Sequence, residues 1–383
     1  MSATVRLPDG AYTLSGAGGE HATPGAPFTS RVAYAAAHVV ADPRAENVPG
    51  APAAVDWDAT LAFRRHLWSY GFGVAEAMDT AQRGMGLDYP TARELVRRSA
   101  AAARAEGGAI CAGVATDQLP AGPATLDEIR KAYAEQLADV QEAGARPVLM
   151  CSRHLAAAAR SAEDYLDVYG RLIDDADGPV VLHWLGPAFD PALAGYWGDG
   201  DPAGAAETVV ALIAGCPGKV DGIKLSLLDE EFEVALRRRL PAGVRLYTGD
   251  DFNYPALIRG DAQGHSDALL GVLAAIAPPA AAALRALDTG DLAGYDRLLA
   301  PTLPLARHLF GAPTFYYKTG IVFLAWLAGH QDHFTMVGGL QSGRSPAHLA
   351  RLLRLADAAG LLPDAELAAH RARAFLTTAG VAQ

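Results

Sequence analysis

The sequence predicts a (β/α)8 barrel with a C-terminal helical extension. Eight short apolar runs, most followed by an amphipathic helix, fall within roughly 240 residues, and after about residue 278 the strand-like runs stop. The first run is not followed by G-x-G-x-x-G, which argues against an open dinucleotide-binding sheet.

Residues 1–30 are rich in Gly, Pro, Ser and Thr and are expected to form an extended arm. The barrel is expected over 31–277. Its strands read RVAYAAAHVV, FGVAEAMDT, GAICAGVA, RPVLMC, PVVLHWL, KVDGIKLS and VRLYTGD, with IRGDAQGHS as the eighth. Between them WDATLAFRRHLWSY, YPTARELVRRSAAAARA, LDEIRKAYAEQLADVQEA and AEDYLDVYGRLID place apolar residues three and four apart, as helices covering a sheet require. Residues 278–383 are expected to form a helical subdomain whose apolar segment FYYKTGIVFLAWLAG packs on the barrel or on a second subunit.

Hydrophobic residues make up 51% of the 383, and the formal net charge is -11 without a basic run. That balance disfavours nucleic acid and anionic membranes as partners. Cys111, Cys151 and Cys216 fit no zinc spacing and suggest a reducing compartment. With no signal-peptide pattern and no apolar stretch of bilayer-spanning length, a cytoplasmic protein is expected.

Barrel chemistry sits at the C-terminal ends of the strands. The polar residues expected there are Asp79, Thr80, Gln82, Arg83, Cys151, His154, His183, Lys224, Ser226, Asp250, Asp251, His265 and Ser266. Lys224 stands out, because VDGIKLS otherwise reads as a buried strand, where an ammonium is costly unless paired or neutralised. Either Asp221, Asp250 or Asp251 pairs with it, or burial lowers its pKa and the neutral amine attacks a carbonyl to form a Schiff base. Glu76, in its own strand, also needs a partner, with Lys224, Arg83 or a metal as candidates.

The segment GIKLS resembles the G-I-K-(D/E)-(S/A) strand of the dihydrodipicolinate synthase and N-acetylneuraminate lyase family, which carries the Schiff-base lysine. GFGVAEAMDTAQR resembles that family's second strand and its G-T-T-G-E loop, with Thr80 on the first threonine. YTGDDF resembles the seventh-strand segment, GDAQGHSDAL resembles G-A-x-G-x-I-S with Ser266 on the serine, and PLARHLFGAPTFYYKTGIVF resembles the helical tail. The similarity runs in order over about residues 33–330, and the whole chain resembles a divergent bacterial branch of the family.

The resemblance implies a class I aldolase, or a related lyase or dehydratase. It would act on a keto acid or sugar-derived carbonyl compound through Lys224, without a further cofactor, in a homo-oligomer. His183 stands where the family has a proton-relaying tyrosine, and an ordinary imidazole pKa near ~6.5 suits it to acid–base work. Thr80 would assist. Asp79, Arg83, His154, Asp250, Asp251, His265 and Ser266 would orient the substrate, Arg83 by gripping an anion. Thr80-Ala81-Gln82-Arg83 lacks the family's second threonine and glycine, and Asp79 puts a carboxylate where an anion is usually received. Both changes favour a hydroxylated, sugar-like substrate. The rival is a metal-dependent sugar aldolase, epimerase or isomerase with ligands drawn from Glu76, Asp79, His154, His183, Asp250 and His265. A third possibility is a non-catalytic sugar-binding barrel.

Overall fold

The computed structural model describes residues 3–16, 18 and 24–383. A hairpin of β1 (Thr4–Leu7) and β2 (Gly10–Thr13) comes first. Eight parallel strands then close a barrel: β3 (Ala33–Ala36), β4 (Gly73–Glu76), β5 (Ile110–Val114), β6 (Arg146–Leu149), β7 (Val180–Leu185), β8 (Val220–Ser226), β9 (Arg245–Thr248) and β10 (Asp267–Leu270). β10 pairs with β3 to complete the ring.

Alternation along each strand builds two cores. Tyr34, Ala36, Ala75, Cys111, Val148, Val181, Tyr247 and Leu269 form a separate inner cluster, while Val74, Ala112, Leu149, Leu182, Ile223, Leu225 and Leu246 join the larger cluster beneath the helices. The same alternation turns His183 and Lys224 toward the lumen. At the N-terminal end of the barrel, Asp221 closes the floor, bound to Arg146, Arg245 and the Tyr247 hydroxyl. It is therefore not the partner of Lys224.

The helices begin and end where the sequence provides caps. Helix Leu126–Ala143, for example, opens on a Thr125–Glu128 capping box and stops at Gly144, whose φ of 81° suits glycine.

Three boundaries differ from the sequence reading. The expected arm folds back as the hairpin: its Tyr12 hydroxyl donates to Asp357 Oδ2 at 2.6 Å, and Ser15 N donates to the same carboxylate. Residues 1, 2, 17 and 19–23 of that arm lie outside the described set. Helix Leu273–Asp288 crosses the expected boundary at 277/278 and packs beside β3 as the barrel's eighth helix. Ile276 (φ -120°) and the two prolines Pro278 and Pro279 make its start look like a break in sequence. Finally, IRGDAQGHS is not a strand. Gly260 has a φ of 77°, Asp261 and Gly264 bridge a turn, and the strand is the apolar DALL that follows.

Beyond residue 288 the chain is helical. Helix Tyr317–Leu327 is buried at every residue, covered by helices of its own chain that include Pro346–Ala358 and Ala365–Thr378. Its apolar face is thus satisfied within one chain. Among the described residues no helix is long and apolar enough to cross a membrane.

Candidate active site

The site is built around β8. Lys224 is 7% exposed and faces into the barrel. Among the described residues it enters no hydrogen bond or ion pair. Burial lowers its pKa, opposed by the charges of Asp251 and Asp79. Gly249, after β9, makes the room: a methyl group there would stand 2.1 Å from Ser226 Oγ and 2.9 Å from Lys224 Cε.

Of the two adjacent aspartates, Asp251 is the one whose charge acts on the lysine. It accepts from Val272 N at 2.8 Å, and burial pushes its carboxyl up to about 8. Asp250 is used up in a turn, accepting from Phe252 N at 2.8 Å and from the backbone and side-chain nitrogens of Asn253. Three of the acceptor positions of its carboxylate thus serve the loop.

His183 lies directly opposite Lys224 in the β7–β8 register. Its Nε2 is 3.3 Å from Ser226 Oγ, and Nδ1 is buried without a partner among the described residues. Burial, reinforced by Lys224, holds its pKa well below the usual imidazole range. The ordinary imidazole expected from sequence is replaced by one that stays neutral. Cys151 donates to the His183 carbonyl at 3.2 Å, and burial pushes its thiol up to about 12, so it is no nucleophile.

The loop after β4 supplies Asp79 and Thr80. Asp79 Oδ1 accepts from Lys318 Nζ at 3.1 Å, while Oδ2 is buried without a partner among the described residues. Thr80 Oγ1 lies 2.7 Å from the Tyr317 hydroxyl. Arg83, from the same loop, is fully committed. Its Nε and Nη2 clasp Asp117 at 2.5 and 2.6 Å, Nη1 donates to the carbonyls of Ala77 and Gly113, and Nη2 also donates to Gln136 Oε1. All five guanidinium hydrogens have acceptors, leaving none for a substrate anion.

Beside these groups opens a cleft of about 550 Å³, lined among others by Asp79, Thr116, Ser152, His154 and Phe189. His154 Nδ1 lies 3.1 Å from Thr116 Oγ1, which in turn lies 2.6 Å from Ser152 Oγ. His265 and Ser266 are elsewhere. They precede β10 rather than follow a strand, His265 is exposed, and Ser266 bonds at 2.7 Å to Glu233 of helix Glu230–Arg237. Thr248 Oγ1 donates to the other Glu233 oxygen at 3.0 Å, and burial raises that carboxyl to about 8.

The candidate metal ligands do not converge. Glu76 is clasped by Arg64 through two bonds of 2.9 and 2.8 Å, Asp250 caps its turn, and His265 lies at the opposite end of β10. Among the described residues no group of three His, Cys, Asp or Glu side chains is placed to hold a metal ion. Arg64 is thus the partner that Glu76 required.

A family model described as "Protein of unknown function (DUF993)" matches residues 8–381. The chain belongs to that family. No curated protein matches the sequence. Among solved structures, the fold of this DUF993 chain is similar to that of dihydrodipicolinate synthases. One from Aquifex aeolicus is 13% identical, with a TM-score of 0.66 over 87% of this chain and 99% of that one. The 4-hydroxy-tetrahydrodipicolinate synthase of Methylacidiphilum fumariolicum is 16% identical, with a TM-score of 0.66 over 86% and 95%. YagE, a prophage protein of the dihydrodipicolinic acid synthase family from E. coli, solved in complex with pyruvate, is 15% identical, with a TM-score of 0.67 over 86% and 99%.

Sequence reasoning missed two residues of this DUF993 site, Tyr317 and Lys318. The signal was present: Lys318 interrupts an apolar run just as Lys224 does, and is 0% exposed.

Proposed function

We propose that the chain is a class I aldolase or related lyase that binds a carbonyl compound as a Schiff base on Lys224. It would then make or break a carbon–carbon bond, or eliminate water, next to the imine. The observation that carries this reading is the state of Lys224: buried, without a hydrogen-bond or ion-pair partner among the described residues, with its pKa lowered by burial, and under the charge of Asp251. An amine in that state is a nucleophile, and the iminium it forms is the electron sink the reaction needs. The covalent intermediate needs no further cofactor.

The surroundings favour a hydroxylated aldehyde or ketone over a bare keto acid. Asp79 Oδ2 is a buried acceptor awaiting a donor, Arg83 has no hydrogen left for a carboxylate, and Asp251 adds a second acidic group. The adjoining cleft, with Thr116, Ser152 and His154, suits a polar chain longer than three carbons. The pyruvate bound to the E. coli protein belongs to that protein.

The test is borohydride trapping with a panel of keto acids, aldoses and ketoses, read by intact mass and peptide mapping. A stable adduct on Lys224 that is lost in Lys224→Ala supports the mechanism, and its mass identifies the carbonyl donor. No adduct from any panel member would sink it.

A further inference from the structure

Where the tail packs against the barrel's helices, a pocket of about 240 Å³ opens that shares no described lining residue with the active-site cleft. Helix Trp57–Ser69 and its cap bring His66 and Tyr70 to it. The start of helix Leu273–Asp288 brings Ala274 and Ala275, and the chain after helix Tyr317–Leu327 brings Ala328 and His330. The three alanines leave the room, and the two imidazoles give it a polar edge. Their ring centroids are 4.3 Å apart at an angle of 50°, and the Tyr70 ring stands edge-on to His66 at 5.1 Å.

Among the described residues no nitrogen of either imidazole enters a hydrogen bond. Two other histidines of the tail junction are engaged: His38 Nε2 lies 3.0 Å from Gln331 Oε1, and His308 Nε2 lies 2.9 Å from the His348 carbonyl oxygen. Burial lowers the pKa of both His66 and His330, the latter to about 4, so both rings are neutral at pH 7. Each then presents one N–H donor and one nitrogen acceptor. None of the described lining residues is Asp, Glu, Lys or Arg, so nothing there balances the charge of an ionic guest. Two imidazoles also fall short of a metal's needs, and among the described residues no third ligand joins them. A cavity of about 150 Å³ takes up a benzene ring, so the larger space here suits a substituted ring or two fused ones.

We infer that this pocket binds a small uncharged aromatic molecule, a phenol or an N–H heterocycle, with its ring against the alanines and Tyr70 and its hydroxyl or N–H on the His66–His330 pair. The site is independent of the chemistry at Lys224.

The experiment titrates the full chain with phenol, and with toluene, benzoate and Zn²⁺ for comparison, by calorimetry and by NMR of the imidazole protons. Phenol is expected to bind saturably with a Kd of about 1 mM or tighter, and to move the His66 and His330 signals. Benzoate is expected to bind about 10-fold more weakly or worse, because its charge goes unmet. The double substitution His66→Phe and His330→Phe keeps two rings in place and removes their nitrogens. It should weaken phenol by about 10-fold, the worth of one hydrogen bond, and leave toluene no weaker. Ala275→Phe, which fills the pocket, should abolish the binding of both, with melting temperatures checking that each variant folds. Failure of phenol to saturate the parent protein, or movement of other signals while His66 and His330 stay still, overturns the site. An equal loss of phenol and toluene in the histidine variant overturns the imidazole contact and the ligand class with it. Benzoate binding more tightly than phenol, or stoichiometric Zn²⁺ lost with the two histidines, overturns the uncharged guest in favour of an ion.

Discussion

His183 and Lys224 sit at one level on adjacent strands, and the lysine helps to keep the imidazole uncharged. Replacing Lys224 with methionine removes that charge but leaves the burial. The His183 pKa should then rise toward, without reaching, the ordinary value, as followed by NMR of the imidazole protons. An unmoved titration would mean that the two side chains do not share a field.

The pH dependence of trapping follows from Lys224 itself. Its folded pKa is lowered, so the neutral amine becomes abundant at lower pH than in a free lysine. The adduct-forming rate should rise with pH and level off below the ordinary lysine value of 10.5. Because Asp251 raises the lysine pKa, Asp251→Asn should move the midpoint to still lower pH. A midpoint at the free-lysine value in the parent protein would refute the buried nucleophile.

Gly249→Ala tests the packing around the amine. The added methyl cannot coexist with Ser226 Oγ at 2.1 Å and Lys224 Cε at 2.9 Å. Overpacking of this kind costs about 1–3 kcal/mol, so the protein should still fold while the Lys224 adduct falls to background. An unchanged adduct yield would show that the lysine does not depend on this approach.

Glu76 gives a test of structure against metal binding. It and Arg64 are both 0% exposed, so removing one partner strands the other. Arg64→Met should destabilise the fold by about 3–5 kcal/mol in denaturant titration, and divalent metal should not restore it. Rescue by metal would return Glu76 to the list of ligands.

Glu233 makes stability depend on pH. Its folded pKa is raised from 4.5 to about 8, so between those values the folded chain holds a proton that the unfolded chain has lost. Its contribution is complete below 4.5 and fades as pH rises through 8. Glu233→Gln should flatten the fall in melting temperature between pH 5 and 9 (about the span of that shift). An identical slope in both proteins would show that other groups set it.

The barrel was legible because its evidence is periodic: alternation and three-four spacing survive in any sequence that must bury a sheet under helices. The eighth strand was displaced because DALL is four residues long and follows a polar turn that imitates the family's motif. The shift carried His265 and Ser266 away from the mouth. Lys224 was legible for an energetic reason, the cost of a buried ammonium, and the same reasoning applied at Lys318 would have revealed the tail's entry into the barrel. What sequence could not give was the spending of donors and acceptors. That Arg83 exhausts its hydrogens on Asp117, Gln136 and two carbonyls, or that Asp250 serves a turn while Asp251 accepts from Val272 N, depends on which atoms the fold brings within reach.

The contact between Thr80 and Tyr317 joins positions 237 apart along the chain. Loops of that length close late, because the entropy of bringing their ends together is recovered only when much else is in place. Strand–helix repeats can form from neighbouring sequence long before then. A refolding experiment should therefore regain its helical circular dichroism ahead of the borohydride-trapped adduct expected on Lys224. The barrel and its tail are also poor candidates for exchange as modules: a tail grafted from another protein would have to bring a matching tyrosine and lysine to the same two residues.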